Sequence, residues 1–393
     1  ADRKAEIIAF LQAQPTGEPT TEITRLERPA RIPLSFAQQR LWFLQEMQPG
    51  SPAYNIPFAI EIEGSLDFDA FKTSLNAIVS RHEVLRTNFV SVNGEPCQQI
   101  SESKAVAIDE IDLRSQTNGI EQVRAAAIVS AKQPFDLRND LLLRVAVYRV
   151  QNTRWVVLFT IHHVVSDAWS TEILLRELDR HYRAALLGKS AELPALPVQY
   201  ADFSIWQREW LKGEVLTEQL GYWQQQLQGE LPTLQLPTDY PRKRVQTFAG
   251  AVEHFSISAD TTSKLTRLTQ EYSASLFMTL MAAFNLFLRR YSGQQDFLVG
   301  TPIANRHRRE VEGMIGLFVN TLAIRTKLRP RETFVDVLKR VRQTTLDAYQ
   351  HQDLPFEKLV EALQPDRDMS LSPLFQVRFR LENAPPEEVN LPG

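Results

Sequence analysis

The stretch TIHHVVSDAWST (160–171) follows the apolar run WVVLF (155–159) and leads into a segment with helical spacing. The run reads as a strand. Beyond it, Trp169, Ile173, Leu174, Leu178 and Tyr182 recur at helical intervals, with Gly188 placed to end the helix. Upstream, LRVAVYRV (143–150) is joined to WVVLFTI by the polar turn QNTR, the signature of an antiparallel hairpin. The stretch is therefore a strand-to-helix corner, and it carries two histidines and an aspartate.

Neighbouring side chains of a strand point to opposite faces, so His162 and His163 cannot both face one site while strand geometry lasts. Histidine pairs that chelate zinc from one helix face have a different spacing, and no cysteine or glutamate cluster lies nearby; no metal site is expected. A lone histidine after an apolar strand is commonly a hydrogen-bonded core residue. His163, however, shares parity with Val157, Phe159 and Ile161, sits where the strand ends and precedes Asp167 by four residues. A side chain there is rigidly held yet can reach a cleft, and imidazole suits proton transfer near neutrality. Asp167 reads as a helix N-cap, and a buried aspartate also needs a cationic partner. Arg86, in the expected strand VLRTNFV (84–90), supplies one, with Arg81 as the alternative.

At 393 residues, with 43% hydrophobic and 23% charged residues, the chain is ordinary globular protein of a length that favours two domains. A formal net charge of -3 provides no global field for nucleic acid or an anionic membrane, so neither is an expected partner. The densest basic clusters, RHRRE (306–310) and PRKR (241–244), read as solvated loops. A single cysteine, Cys97, cannot form an internal disulfide, which points to a reduced, cytoplasmic setting. SLFMTLMAAFNLFL (275–288) is too short to span a bilayer and reads as a buried helix. With no initiator methionine and no signal-peptide pattern, the chain is expected to be a segment of a longer polypeptide.

RKAEIIAFLQAQ (3–14) has helical spacing and is followed by a polar linker. SFAQQRLWFLQEM (35–47) reads as a helix, as does the segment carrying Phe68, Phe71, Leu75, Ile78 and Val79. A tryptophan-rich helical region covers 200–228, and the proline-bearing LPTLQLPTDYPRKR (231–244) is the expected crossing between halves. The second half repeats a helix-to-strand theme, 275–290 feeding DFLVGTPI (296–303), which suggests a structural duplication.

Seven motifs in order carry a resemblance: SFAQQRLWFL (35–44), RHEVLRTNF (81–89), IHHVVSDAWS (161–170), YADFSIW (200–206), IGLFVNTLAIR (315–325), HQDLPFEKL (351–359) and RDMSLSPLFQV (367–377). Together they resemble the condensation domain of nonribosomal peptide synthetases, a branch of the chloramphenicol acetyltransferase-like acyltransferases. The resemblance implies an α/β (α+β) fold of two acetyltransferase-like subdomains, a V-shaped pseudo-dimer around a central tunnel. The expected division is a linker at 1–30, a first subdomain at 31–200 and a second at 201–393, truncated at its end. It further implies amide formation between a donor acyl, aminoacyl or peptidyl thioester, with an L-configured donor, and the amine of an acceptor aminoacyl thioester. The partners implied are donor and acceptor peptidyl carrier domains and an adjacent adenylation domain. The domain itself binds no cofactor; its substrates ride on the phosphopantetheine of the carriers.

By the same resemblance, His163 is the base or amine-positioning residue and His162 a packing or orienting residue, while Asp167 is structural. Trp169 and Ser170 shape the tunnel, and Asn320 is a polar residue where the halves meet. Its alternative is a strand-end amide. The chain departs from the family pattern at Ala168, where glycine is usual, and the difference could reflect a positive φ or a narrowed tunnel. The rival readings are an epimerisation domain, a free-standing acyltransferase using coenzyme A thioesters, and a catalytically silent domain that binds carriers.

Overall fold

The computed structural model describes residues 22–25, 27–241, 250–364 and 371–382. The expected helix at 3–14 and its linker, PRKR beyond Pro241, the start of the last motif and the chain's end lie outside the described residues.

The first half runs β1 (Ile32–Pro33), α1 (Phe36–Met47), β2 (Asn55–Glu63), α2 (Phe68–Arg81), β3 (Thr87–Val92), β4 (Glu95–Ile100) and β5 (Ile108–Asp112). It continues through α3 (Gly119–Lys132), β6 (Leu143–Gln151), β7 (Arg154–His162), α4 (Ala168–Leu186) and α5 (Tyr200–Trp210). The expected hairpin is β6–β7, antiparallel, inside a four-stranded sheet of order β2-β7-β6-β5. A three-stranded sheet, β1-β4-β3, accompanies it.

The apolar run in β7 follows from its position between β2 and β6, with helices on both faces of the sheet. Val157, Phe159 and Ile161 share one core with Phe71 and Leu75 of α2 and Ile173, Leu174 and Leu178 of α4. Val156 and Leu158 face the other way, onto Leu113 and Val123. A strand buried on both faces loses the alternation of a half-exposed one. Each fully buried side chain of this kind contributes roughly 1.5–3 kcal/mol, so the strand that delivers the histidines is firmly anchored.

The second half contains α6 (Gly213–Gln226), α7 (Ala259–Glu271), α8 (Leu276–Ser292), β8 (Asp296–Ile303), β9 (Asn320–Lys327), α9 (Phe334–Gln350), α10 (Phe356–Leu363) and β10 (Val377–Arg378). Its sheet has the order β10-β8-β9. β8 repeats the logic of β7: Phe297 and Val299 join one core with α8 and α9, and Leu298 joins another with Trp223 and Phe375. No single helix among the described residues is long and apolar enough to cross a membrane.

Three local expectations are corrected. The helical region at 200–228 is two helices, broken at Leu211 and Lys212, where Gly213 takes φ +55. Tyr200, Phe203 and Trp206 before the break pack in the first core and Trp223 after it in the second, so the chain changes cores there, ahead of the proline-bearing stretch. Finally, the strand expected at 84–90 begins only at Thr87, because Glu83–Arg86 form a 3-10 turn.

Residues 306–318 form a strap between β8 and β9 that leaves the second half and buries Val311, Met314, Ile315, Leu317 and Phe318 in the first core. Gly316 lies so close to Tyr200 that an added Cβ would meet its ring at 2.2 Å. Only glycine fits that approach.

Candidate functional site

β7 ends at His162, and His163–Val165 make one 3-10 turn before Asp167 caps α4. The direction of His163 is thus set by the turn rather than by strand alternation. Its backbone N–H donates to Tyr54 O at 2.8 Å. Its Nδ1 lies 2.7 Å from Ser166 O. A carbonyl only accepts, so Nδ1 carries the proton and the neutral ring presents Nε2 as its lone pair. The side chain is half-buried.

His162 is different. It is 1% exposed and accepts the Val164 N–H at Nδ1, 3.2 Å away. Burial, followed by the charges of His163 and Arg144, pushes its pKa down to about 3. An imidazole held neutral in this way does not exchange protons near pH 7. It caps the turn that carries His163, which fits the orienting role implied by the resemblance.

The charge partner of Asp167 is Arg306, not Arg86 or Arg81. Arg306 Nη2 donates to Asp167 Oδ1 at 3.0 Å, and both side chains are almost fully buried. The Arg86 guanidinium instead donates to Ser101 O, because the 3-10 turn removes the strand parity on which the pairing with Asp167 depended. Arg81 is engaged by Glu177, 3.0 Å away, and the same carboxylate accepts from His82 Nε2 at 2.9 Å. Burial raises the pKa of Glu177, but the hydrogen bonds and charges of His82 and Arg81 outweigh it, and the net shift is downward.

Arg306 belongs to the RHRRE cluster, so the reading of that cluster as solvated loops is also corrected. The guanidinium is 4.1 Å from the Phe318 ring centroid and donates to Val311 O and Met314 O, which gathers the strap around it. Burial lowers its pKa, with Asp167 opposing.

Ser170 sits within this junction. Its N–H and Oγ both reach Asp167 Oδ1, at 2.9 and 2.7 Å, while Oγ accepts from Gly316 N at 3.0 Å and from Arg306 Nη2 at 2.8 Å. Asp167 Oδ2 accepts from Phe318 N at 2.9 Å. Trp169 Nε1 donates to Glu312 O at 3.0 Å, and His82 Nδ1 accepts from Ile315 N at 3.3 Å. Side chains of the first half thus take up backbone groups along the strap, and Ser170, expected to shape a tunnel, is fully buried in this network.

Asn320 is engaged at both ends of its amide. Nδ2 donates to Gln352 O and Leu354 O, and Oδ1 accepts from Thr321 N and Phe356 N. These bonds tie the start of β9 to the loop before α10.

Ala168 is the first residue of α4, is exposed and is not among the residues with positive φ. The backbone reason for a glycine is therefore removed. Ala168→Gly is expected to lower stability by no more than ~1 kcal/mol, read from thermal unfolding; a gain in stability would show instead that the methyl group strains the turn.

Among the described residues no group of three or more His, Cys, Asp or Glu side chains could hold a metal ion.

A family model described as the condensation domain matches residues 30–390. A linear gramicidin synthase polypeptide of Brevibacillus parabrevis is 46% identical over 380 residues, which cover 96% of this chain and 5% of that protein. Phosphinothricin tripeptide synthetase PhsC of Streptomyces viridochromogenes is 42% identical over 354 residues, covering 90% of this chain and 33% of that one. Among solved structures, the X-domain from teicoplanin biosynthesis superposes with a TM-score of 0.83 at 27% identity, covering 91% of this chain and 78% of that chain. A four-domain nonribosomal peptide synthetase bound to AMP and glycine gives 0.79 at 27%, over 93% and 27%. The chain belongs to the condensation-domain family of nonribosomal peptide synthetases, with a chloramphenicol acetyltransferase-like fold. It spans only a twentieth to a third of the length of these two relatives.

Proposed function

We propose that the chain forms an amide bond between two carrier-bound thioesters. The donor is an acyl, aminoacyl or peptidyl group with an L-configured end, and the acceptor is an aminoacyl thioester whose partner domains lie in the same assembly line. The observation that carries this reading is the His163 Nδ1–H bond to Ser166 O, which leaves Nε2 as the ring nitrogen with a lone pair on a half-buried side chain at the end of a buried strand.

A thioester is already activated, so the site has to align the reactants and manage protons. One proton leaves the acceptor ammonium to expose the amine. The nitrogen attacks the donor carbonyl, the C–N bond forms, and collapse breaks the C–S bond. His163 Nε2 accepts the nitrogen's proton and can return it to the departing thiolate, so the products are the amide, the free donor thiol and one proton. Metal and ATP are unnecessary at this step. Asp167 acts by holding the corner, and the two arms would meet at His163 through a tunnel between the halves.

The test compares the same donor acyl group on a carrier domain and on coenzyme A. A carrier preference in kcat/KM supports the assembly-line reading, and equal or better use of the coenzyme A thioester overturns it. A second reading, a silent recruiting domain, is favoured by the likeness to the X-domain solved in complex with OxyB, at a TM-score of 0.84 and 27% identity. Carrier binding without amide formation would select it.

A further inference from the structure

The motif SFAQQRLWFL is absorbed neither by the charge network nor by the histidines, yet its helix packs against the 3-10 turn that carries His163. Gln38 makes that contact specific. Its side chain is fully buried, with Oε1 accepting from Ser35 N at 3.2 Å and Nε2 donating to Val164 O at 3.3 Å. These two partners fix the amide orientation, since a flipped amide would set N–H against N–H and oxygen against oxygen. Val164 is the middle residue of the turn, immediately after His163.

The other half of the capping box reaches the strap through Tyr200. Ser35 Oγ accepts from Gln38 N at 3.1 Å and lies 2.8 Å from Tyr200 OH. Tyr200 OH donates to Leu317 O at 2.6 Å, so the proton between the two hydroxyls comes from Ser35. One N-terminal capping box therefore joins the histidine turn to the strap. A cap alone requires only the Ser35–Gln38 exchange; the bond to Val164 O is additional.

We infer that Gln38 is a positioning residue for the reaction, pinning the turn through Val164 O so that His163 keeps Nδ1 on Ser166 O and Nε2 toward substrate. The inference rests on the functional reading given above. A catalytic group must be held within a fraction of an ångström by supporting bonds, and small misplacements are costly.

Three variants separate positioning from mere stability. Gln38→Met keeps the volume and loses both bonds; it is expected to lower kcat by roughly 10–100-fold with KM for both carrier substrates unchanged. Gln38→Glu keeps the acceptor for Ser35 N but, when ionised, sets an oxygen against Val164 O. Once protonated it can donate there, so its kcat relative to the parent at the same pH should rise as pH falls. His163→Ala in the same assay identifies which claim fails. If the parent chain forms no amide, the functional reading falls; if His163→Ala keeps full turnover, the role of His163 falls and the positioning role of Gln38 with it. If His163→Ala loses turnover while folded Gln38→Met keeps the parental kcat, or if Gln38→Glu shows a pH-independent ratio, only the role of Gln38 falls. NMR of labelled histidine provides a readout independent of activity: His163 should be the Nδ1-protonated tautomer in the parent and lose that preference in Gln38→Met. An unchanged tautomer signal in the folded variant overturns the inference.

Discussion

Replacing His163 with alanine is expected to lower amide formation by roughly 10²–10⁴-fold, the usual cost of losing a general acid-base group, while thermal unfolding stays near that of the parent. The fold should survive because the side chain is half-buried and its one side-chain bond runs to Ser166 within the same turn. The backbone bond to Tyr54 O is untouched by the substitution. His162→Ala should show the opposite balance. His162 is buried and caps the turn through Val164 N, so its loss disturbs stability as well as rate. Single-turnover rates with two loaded carriers, corrected for folded fraction, check both. Undiminished turnover in folded His163→Ala would remove the proton-transfer role.

The second large effect is expected at the junction of the halves. Removing either Asp167 or Arg306 strands a buried charge, which typically costs roughly 3–5 kcal/mol. Asp167→Asn and Arg306→Met should each lower stability substantially, and the double variant should lose clearly less than the sum. Denaturant unfolding of the four proteins measures that coupling. Additive losses would mean that the 3.0 Å contact contributes no coupling. The same cycle with Arg86→Met provides a control and should be additive, because Arg86 bonds Ser101 O instead. Activity should fall with stability, since Asp167 ties the histidine corner to Ser170 and to Phe318 N of the strap.

How far these features could be read in advance depended on range. The β6–β7 hairpin, the helical stripe Phe71, Leu75, Ile78 and Val79, and the corner at Asp167 are local patterns, and all are present. The partner of Asp167 lies 139 residues away, which no periodicity reports. The basic cluster around Arg306 resembles a solvated loop until its aspartate is known. Strand parity does not hold at Arg86, which lies in a 3-10 turn. Glu177 did leave a signal: it lies three residues after Leu174 on the buried stripe of α4, where a carboxylate requires partners, and these are Arg81 and His82. Gln38 was visible only as a letter in a motif, and its bond to Val164 O needed the fold.

The most direct test mixes the parent chain with a donor and an acceptor carrier domain, each loaded through its phosphopantetheine thioester, and follows the mass of both arms. The account predicts that the acceptor arm gains the donor acyl group as an amide while the donor arm is left as free thiol. Carriers that bind the chain yet keep their separate loads would contradict it and leave a silent binding domain.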